Sequence, residues 1–214
     1  MKKSFLILLC SLLLAGNASA DLFTGGGGMS VADTNPGGLS SGTLNVGTVG
    51  TIASYDNLII NMTTQHTWLG DITFTLQSPT GTQVQIMRRQ GASGVGNSGD
   101  MQVGLHTFVD NGTGANMPFT NTATNMAGGT VWNRSNNAAS TQIIPAVNPN
   151  TYASFAGQVV NGTWTLFALD SAGGDVGVVG DWSMNITLTA IPEPGSLALL
   201  SVFGLVGLAR RRRV

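Results

Sequence analysis

The sequence predicts an all-β protein, an antiparallel β-sandwich of jelly-roll type, followed by an apolar C-terminal helix. Three observations lead to this prediction. Gly, Thr, Ser and Asn dominate the central part of the chain, and this composition disfavours helices and favours short strands joined by tight turns. Apolar residues there alternate with polar ones, which is the period of a half-buried strand. The segments between these strands show no helical period.

The first elements follow from this alternation. Residues 21–44 are glycine-rich with few regularly spaced apolar residues, so we expect a flexible leader before a sandwich over residues 45–190. Two strands are predicted where one face carries Leu58, Ile60 and Met62, and then Ile72, Phe74 and Leu76. The run Ser78-Pro79-Thr80-Gly81 predicts a hairpin into a third strand.

The later elements are separated by a stretch of weak pattern over residues 111–150. A short strand is expected over 105–109. Two further strands are predicted from alternating apolar residues, which are Trp164, Leu166 and Ala168, and then Trp182, Met184, Ile186 and Leu188. We assign the tryptophans at 68, 164 and 182 to the core. Trp132 and Tyr152 are either exposed aromatic residues that stack on sugar rings or further core residues.

The first twenty residues have the pattern of a secretory signal peptide. Lys2 and Lys3 precede an apolar run over residues 5–14, and Ala18-Ser19-Ala20 is the small-x-small pattern that signal peptidase cleaves. We expect cleavage after Ala20. The sole cysteine, Cys10, lies in this leader, so the mature chain forms no disulfide.

The last residues, 191–214, have the pattern of a second targeting signal. They contain Pro192-Glu193-Pro194, an apolar stretch over 197–209 and four arginines at 210–213. The apolar stretch would form a helix of roughly 20 Å, shorter than a hydrocarbon layer of ~30 Å. The arginines favour a cytoplasmic end, which leaves the body outside.

This tail resembles the PEP-CTERM sorting signal of Gram-negative bacteria. The resemblance implies a transient inner-membrane intermediate, cleavage near the motif by an exosortase-type peptidase, and release to the cell surface or the medium in association with exopolysaccharide. A simple membrane anchor is the alternative.

The charge of the body disfavours nucleic acid as a partner. Of nine basic residues, the body keeps Arg88, Arg89 and Arg134, against nine aspartates in the chain. A nucleic-acid-binding surface needs clustered basic residues to neutralise phosphates. An acidic body without lysine suits an extracellular, cation-rich environment instead.

Three blocks of the body together resemble the P domain, or Homo B domain, of subtilisin-like proprotein convertases. These blocks are His66-Thr67-Trp68-Leu69-Gly70-Asp71-Ile72 with the turn at Ser78-Pro79-Thr80-Gly81-Thr82, then Asn161-Gly162-Thr163-Trp164-Thr165-Leu166 ending in Asp170, and then Gly174-Asp175-Val176-Gly177 followed by Trp182. The resemblance spans residues 45–188. It implies an eight-strand sandwich that assists a partner and performs no chemistry itself.

The sequence lacks the motifs of a serine protease. It has two histidines, His66 and His106, and neither a Gly-x-Ser-x-Gly elbow nor a subtilisin-like catalytic domain. We interpret His66 as a structural residue that packs beside Trp68 and caps a turn. We expect His106 to face solvent. The spacing of the histidines matches no zinc motif.

Five aspartates at strand ends or in glycine-rich loops are candidate calcium ligands: Asp71, Asp110, Asp170, Asp175 and Asp181. Hard oxygen ligands of this kind suit calcium. The alternative is that they cap turns through side-chain to backbone hydrogen bonds. Asp170 with Asp175 is the best-placed pair, because the intervening residues can fold back tightly.

These observations predict a non-catalytic secreted or surface-displayed module that contributes to the extracellular matrix or envelope by binding or scaffolding. The alternatives are an accessory domain of an extracellular serine protease and a carbohydrate-binding module. The expected partners are signal peptidase, an exosortase-type peptidase, and exopolysaccharide or another surface protein.

Overall fold

The computed structural model describes residues 20–31, 33, 39–89, 97–118, 122–134 and 150–189. Ala18, the motif Pro192-Glu193-Pro194 and the predicted C-terminal helix lie outside the described residues. Within them, no helix combines the length and the apolar character needed to cross a membrane.

The described residues contain ten β-strands and one short 3-10 helix. The strands are β1 (Ala20–Gly26), β2 (Met29–Val31), β3 (Leu39–Val46), β4 (Ile52–Thr64), β5 (Ile72–Gln77), β6 (Gln83–Arg88), β7 (Gly104–Val109), β8 (Val131–Asn133), β9 (Gly162–Asp170) and β10 (Gly177–Leu188), and the 3-10 helix is Tyr152–Phe155. The all-β prediction is therefore confirmed.

The strands form two sheets. The six-stranded sheet has the order β1-β10-β4-β7-β8, with β2 also paired to β10, and the four-stranded sheet has the order β3-β9-β5-β6. All pairs are antiparallel except β7 with β8. The predicted hairpin is the β5–β6 pair, closed by the turn at residues 78–81.

One hydrophobic core lies between the two sheets. Alternate residues of β4, β9 and β10 point into it, and Trp164 and Trp182 are completely buried, as predicted. The ring of Tyr55 on β4 lies 6.0 Å from that of Trp164 on β9, so side chains of the two sheets meet face to face. This is the packing of a β-sandwich.

The flexible leader predicted over residues 21–44 is wrong. This region contains β1, β2 and most of β3, and residues 20–189 form one compact unit. β1 and β2 pair with β10, and β3 pairs with β9. Each partner strand lies more than a hundred residues later in the sequence. Their stability comes from these non-local pairings, which a local apolar period does not reveal.

Several predicted side-chain positions also need correction. His106 is completely buried instead of facing solvent, because it shares the inward face of β7 with Phe108, while Leu105 is exposed. Trp132 and Tyr152 are buried and present no platform for sugar stacking. Trp68 is half-buried and lies outside the core cluster.

The strand directions define two ends of the sandwich. The loop end carries the β4–β5 loop (65–71) and the β9–β10 loop (171–176), where Ile72 pairs with Asp170. The terminal end carries the loops 47–51 and 158–161 and both chain ends of the compact unit, since Ala20 pairs with Thr187.

Candidate functional site

A buried histidine–aspartate pair lies at the loop end. His66 Nε2 is 3.3 Å from Asp170 Oδ2, and neither side chain has exposed surface. The Trp68 amide donates to His66 Nδ1 at 3.3 Å, so Nε2 carries the proton and donates to the carboxylate. His66 therefore caps a turn, in agreement with the sequence interpretation, and both of its ring nitrogens are engaged.

Further bonds join the two loops around this pair. The Thr67 hydroxyl donates to Asp175, and the Ser171 amide donates to the Asp71 carbonyl at 3.0 Å. The second carboxylate oxygen of Asp170 accepts the Ala172 amide at 3.1 Å. We call His66, Thr67, Asp71, Asp170 and Asp175 the His/Asp cluster.

A glycine allows the close approach of β10 to this cluster. A β-carbon at residue 177 would lie 2.9 Å from His66 Cβ, closer than two such atoms approach in folded proteins. Gly177 belongs to the third block of the sequence resemblance, and His66 to the first. The spacing of these blocks in the sequence therefore reflects a direct contact in the fold.

Asp71 of the cluster pairs with the cation Arg89. Arg89 Nη2 lies 3.3 Å from Asp71 Oδ1, and Arg89 Nε donates to the Gly70 carbonyl at 2.7 Å. Burial raises the pKa of Asp71, and the neighbouring carboxylates of Asp170 and Asp175 raise it further, while Arg89 and His66 oppose these effects. The cluster thus concentrates negative charge that Arg89 offsets in part.

The structure brings together three of the five predicted calcium ligands, namely Asp71, Asp170 and Asp175. Asp181 lies elsewhere, on the exposed face of β10, where it accepts from Asn61 at 2.6 Å. Asp110 lies at the terminal end, 3.2 Å from Arg134. In the part of the chain that the structure describes, no three His, Cys, Asp or Glu side chains converge as a group able to hold a metal ion. Asp170 caps a local turn through the Ala172 amide, whereas Asp175 accepts the Thr67 hydroxyl from the other loop.

Sequence reasoning missed Arg89, Thr67 and Asp33 as members of this end of the molecule. The Gly174 amide donates to Asp33 Oδ1 at 2.7 Å, which ties residue 33 to the β9–β10 loop. The small number of cationic residues in the body could have indicated that Arg89 pairs with an aspartate, because an arginine among many aspartates needs an acidic partner. Asp33 gave no signal, since it lies in the region interpreted as a leader.

A second feature is an open cleft of about 460 Å³ at the terminal end. Its walls include Ser54, Asp56, Asp110, Asn111 and Thr151, together with the edges of Tyr55 and Tyr152. Asp110 accepts the Tyr152 amide at 2.9 Å, and Asp56 accepts the Ser54 and Thr187 hydroxyls at 2.8 and 2.9 Å. The cleft therefore presents ordered carboxylates, hydroxyls and an amide to solvent.

Two protein families match this chain. Residues 190–213 match the PEP-CTERM protein-sorting motif, and residues 55–115 match the proprotein convertase P-domain. Both predicted resemblances are confirmed. The P-domain match contains His66 and Asp71 of the cluster. The fold adds Asp170 and Asp175 from the later blocks of the resemblance, which lie outside the matched residues.

The solved structures that resemble this chain include the serine protease of Aeromonas sobria. The complex of that protease with its chaperone has a TM-score of 0.41 and 15% identity, covering 81% of this chain and 27% of the protease chain. The protease alone gives a TM-score of 0.40 and 15% identity, covering 79% and 26%. The chain thus spans about a quarter of the length of these proteases. No curated protein matches it significantly.

Proposed function

We propose that this chain is a non-catalytic binding or scaffolding module that is displayed at the surface of a Gram-negative bacterium or released into its matrix. The observation that carries this proposal is the His/Asp cluster. His66, which lies within the residues matched to the P-domain, bonds to Asp170 from a later strand, and both side chains are fully buried. A general base must reach a substrate proton, and this imidazole is used to join two loops instead.

The proposed route to the surface follows from the two ends of the sequence. Signal peptidase cleaves after Ala20, the apolar tail enters the inner membrane, and an exosortase-type peptidase cleaves near Pro192-Glu193-Pro194. The PEP-CTERM match supports the processing by an exosortase-type peptidase. The exported body then binds exopolysaccharide or another surface protein.

An activity assay tests the non-catalytic part of this proposal. The exported protein, recovered from the medium, is incubated with casein and with fluorogenic dibasic peptides, beside the variant His66→Gln. We expect no cleavage above buffer by either protein. Cleavage by the wild type that is lost in a folded His66→Gln variant would refute the proposal, and the melting curve of the variant reports whether it is folded.

The P-domain match also supports a second candidate function, as an accessory domain of an extracellular serine protease. The partner would be a host protease that lacks its own P domain. If this function is correct, adding the exported protein raises the melting temperature of that protease, because a ligand that binds only the folded state stabilises it. An unchanged melting temperature at saturating concentration argues against it.

The cleft supports carbohydrate binding as the form that matrix attachment takes. Carboxylates, hydroxyls and amides are the groups that hydrogen-bond sugar hydroxyls, and all three line the cleft together with alanine side chains. Retention of the exported protein on the host's exopolysaccharide tests this interpretation. We expect Asn111→Ala to weaken retention, whereas Asn61→Ala, outside the cleft, leaves it unchanged. Equal retention of both variants would show that the cleft does not bind the exopolysaccharide.

A further inference from the structure

Both ends of the compact unit leave the sandwich at the same place. Ala20 of β1 pairs with Thr187 of the neighbouring strand β10. Two residues further on, the Thr189 amide donates to the Thr51 carbonyl at 2.8 Å. The two positions where the chain enters and leaves the unit are therefore adjacent, at the terminal end.

One apolar segment of membrane type precedes Ala20 in the sequence, over residues 5–14, and another follows Thr189, over residues 197–209. Seven residues lie between Thr189 and Leu197, and the eight steps from one Cα to the next span at most about 28 Å when fully extended. β10 has twelve residues and extends roughly 40 Å. The connection is shorter than β10, so an inserted tail keeps the terminal end within about 28 Å of the bilayer.

The tip of the terminal end is uncharged and presents two exposed valines among polar residues. It consists of the loops 47–51 and 158–161, which contain no charged residue. Val49 is 76% exposed and Val159 is 52% exposed. A bridge between Thr51 and Val159 and a bond from the Val160 amide to the Gly50 carbonyl, at 3.0 Å, hold the two loops together.

The opposite end is charged, since it carries Asp71, Arg89 and Asp175 beside the exposed Val176. Placing such charges against a bilayer costs free energy, whereas exposed valines gain from contact with the acyl chain boundary. Two acidic groups near the tip have partners: Asp56 accepts from Ser54 and Thr187, and Asp110 pairs with Arg134 and accepts the Tyr152 amide. Asp21, on β1 at the same end, is partly exposed.

We infer that the loops 47–51 and 158–161 form a lipid-contacting tip, with Val49 and Val159 at the surface of the inner membrane while an apolar segment is inserted. The contact is apolar, because the tip offers no lysine or arginine to anionic lipid. Two valines are too few to hold a protein on a membrane alone, so removal of the apolar segments releases the tip. This inference rests on the membrane intermediate of the proposed function.

Site-specific quenching tests the inference. The full chain with Cys10→Ser is free of cysteine, so a single cysteine at Val49, Val159 or Val176 can carry an environment-sensitive fluorophore. Val176 is the matched control, since it is a 56% exposed valine at the loop end. Each labelled chain is reconstituted in phosphatidylethanolamine and phosphatidylglycerol vesicles that contain nitroxide-labelled lipid. Matching melting curves confirm that the three variants fold alike.

We expect severalfold stronger quenching at positions 49 and 159 than at position 176, unchanged by added salt. Equal quenching at all three positions, or stronger quenching at 176, overturns the inference. Flotation of the vesicles separates this failure from that of the export route. A chain that fails to float with the vesicles does not insert, and contradicts the membrane intermediate and the tip together.

Discussion

At the scale of single residues, the His66–Asp170 bond joins two loops that lie 104 residues apart in sequence. Both side chains are buried, so each satisfies a group that would otherwise lack water and a partner. Asp170 also accepts the Ala172 amide. This aspartate is consequently a structural centre of the loop end, and its removal leaves two donors unpaired.

Replacing Asp170 by alanine should therefore destabilise the protein strongly. We expect Asp170→Ala to lower the free energy of unfolding by about 3–5 kcal/mol, because it leaves the buried His66 N–H and the part-buried Ala172 N–H without acceptors. The matched control is Asp181→Ala, which removes an exposed aspartate and should cost less than about 1 kcal/mol. Urea denaturation measures both values, and similar small losses would show that the pair contributes little.

His106 should make the stability depend on pH. Burial lowers the pKa of His106 below its ordinary value of 6.5, although the bond to the Gln102 carbonyl opposes this shift. The folded state thus favours the neutral imidazole. The stability that this preference contributes is fully present above pH 6.5 and is lost as the pH falls from 6.5 through the lowered pKa of His106. The melting temperature of wild type should fall more steeply than that of His106→Gln over this interval, and parallel curves would contradict this.

Calcium binding stays a prediction, now limited to Asp71, Asp170 and Asp175. If the cluster binds calcium, the melting temperature rises by several degrees between chelator and millimolar calcium, since the cation offsets the charge of neighbouring carboxylates. Asp175→Asn should reduce this rise, and Asp110→Asn, at the other end of the sandwich, should leave it unchanged. No rise in the wild-type protein would establish these aspartates as turn caps alone.

At the scale of elements, the sequence predicted those strands whose alternation is strong. The inward sets of β4, β5, β9 and β10 were all predictable from their apolar period. β7 was ambiguous, because Leu105 and Phe108 lie on opposite faces, and the larger aromatic residue decides which face is buried. The three-residue β8 is too short for any period and depends on its parallel pairing with β7.

The first strands could not be predicted in this way, because glycine occupies positions where apolar residues would signal a strand. Gly26 lies directly over the indole ring of Trp182, and a β-carbon there would overlap the ring. The contacts between aspartates at the loop end could not be predicted from local sequence either. Each of its aspartates was noticed individually, but which of them meet depends on strand pairings between distant parts of the chain.

A matched pair of glycines tests the packing of β1 on β10. Gly26→Ala should cost roughly 1–3 kcal/mol, because the added methyl group displaces the buried indole of Trp182. Gly27→Ala should cost less, since the nearest atom to a β-carbon there is the Thr43 carbonyl oxygen, at an ordinary 3.6 Å. Chemical denaturation compares the two. Equal losses would mean that β1 packs differently from the structure.

At the scale of the whole molecule, the two strands that adjoin the processing signals in sequence, β1 and β10, pair with each other. β1 begins at Ala20, the residue before the predicted signal peptidase cut, and β10 ends at Leu188, just before the sorting motif at 190–213. The sandwich between them needs neither signal for its core, because its core residues lie within 29–186. Removal of both signals is therefore compatible with a stable exported body.

The intact mass of the protein recovered outside the cell tests the central claim of export and sorting most directly. In a host with the exosortase, the mass should correspond to a chain that begins at Asp21 and ends near Pro192-Glu193-Pro194. Replacing Glu193 by alanine should leave the uncleaved protein in the inner membrane, where the apolar segment remains inserted. An extracellular protein whose mass extends to Val214 would contradict the account.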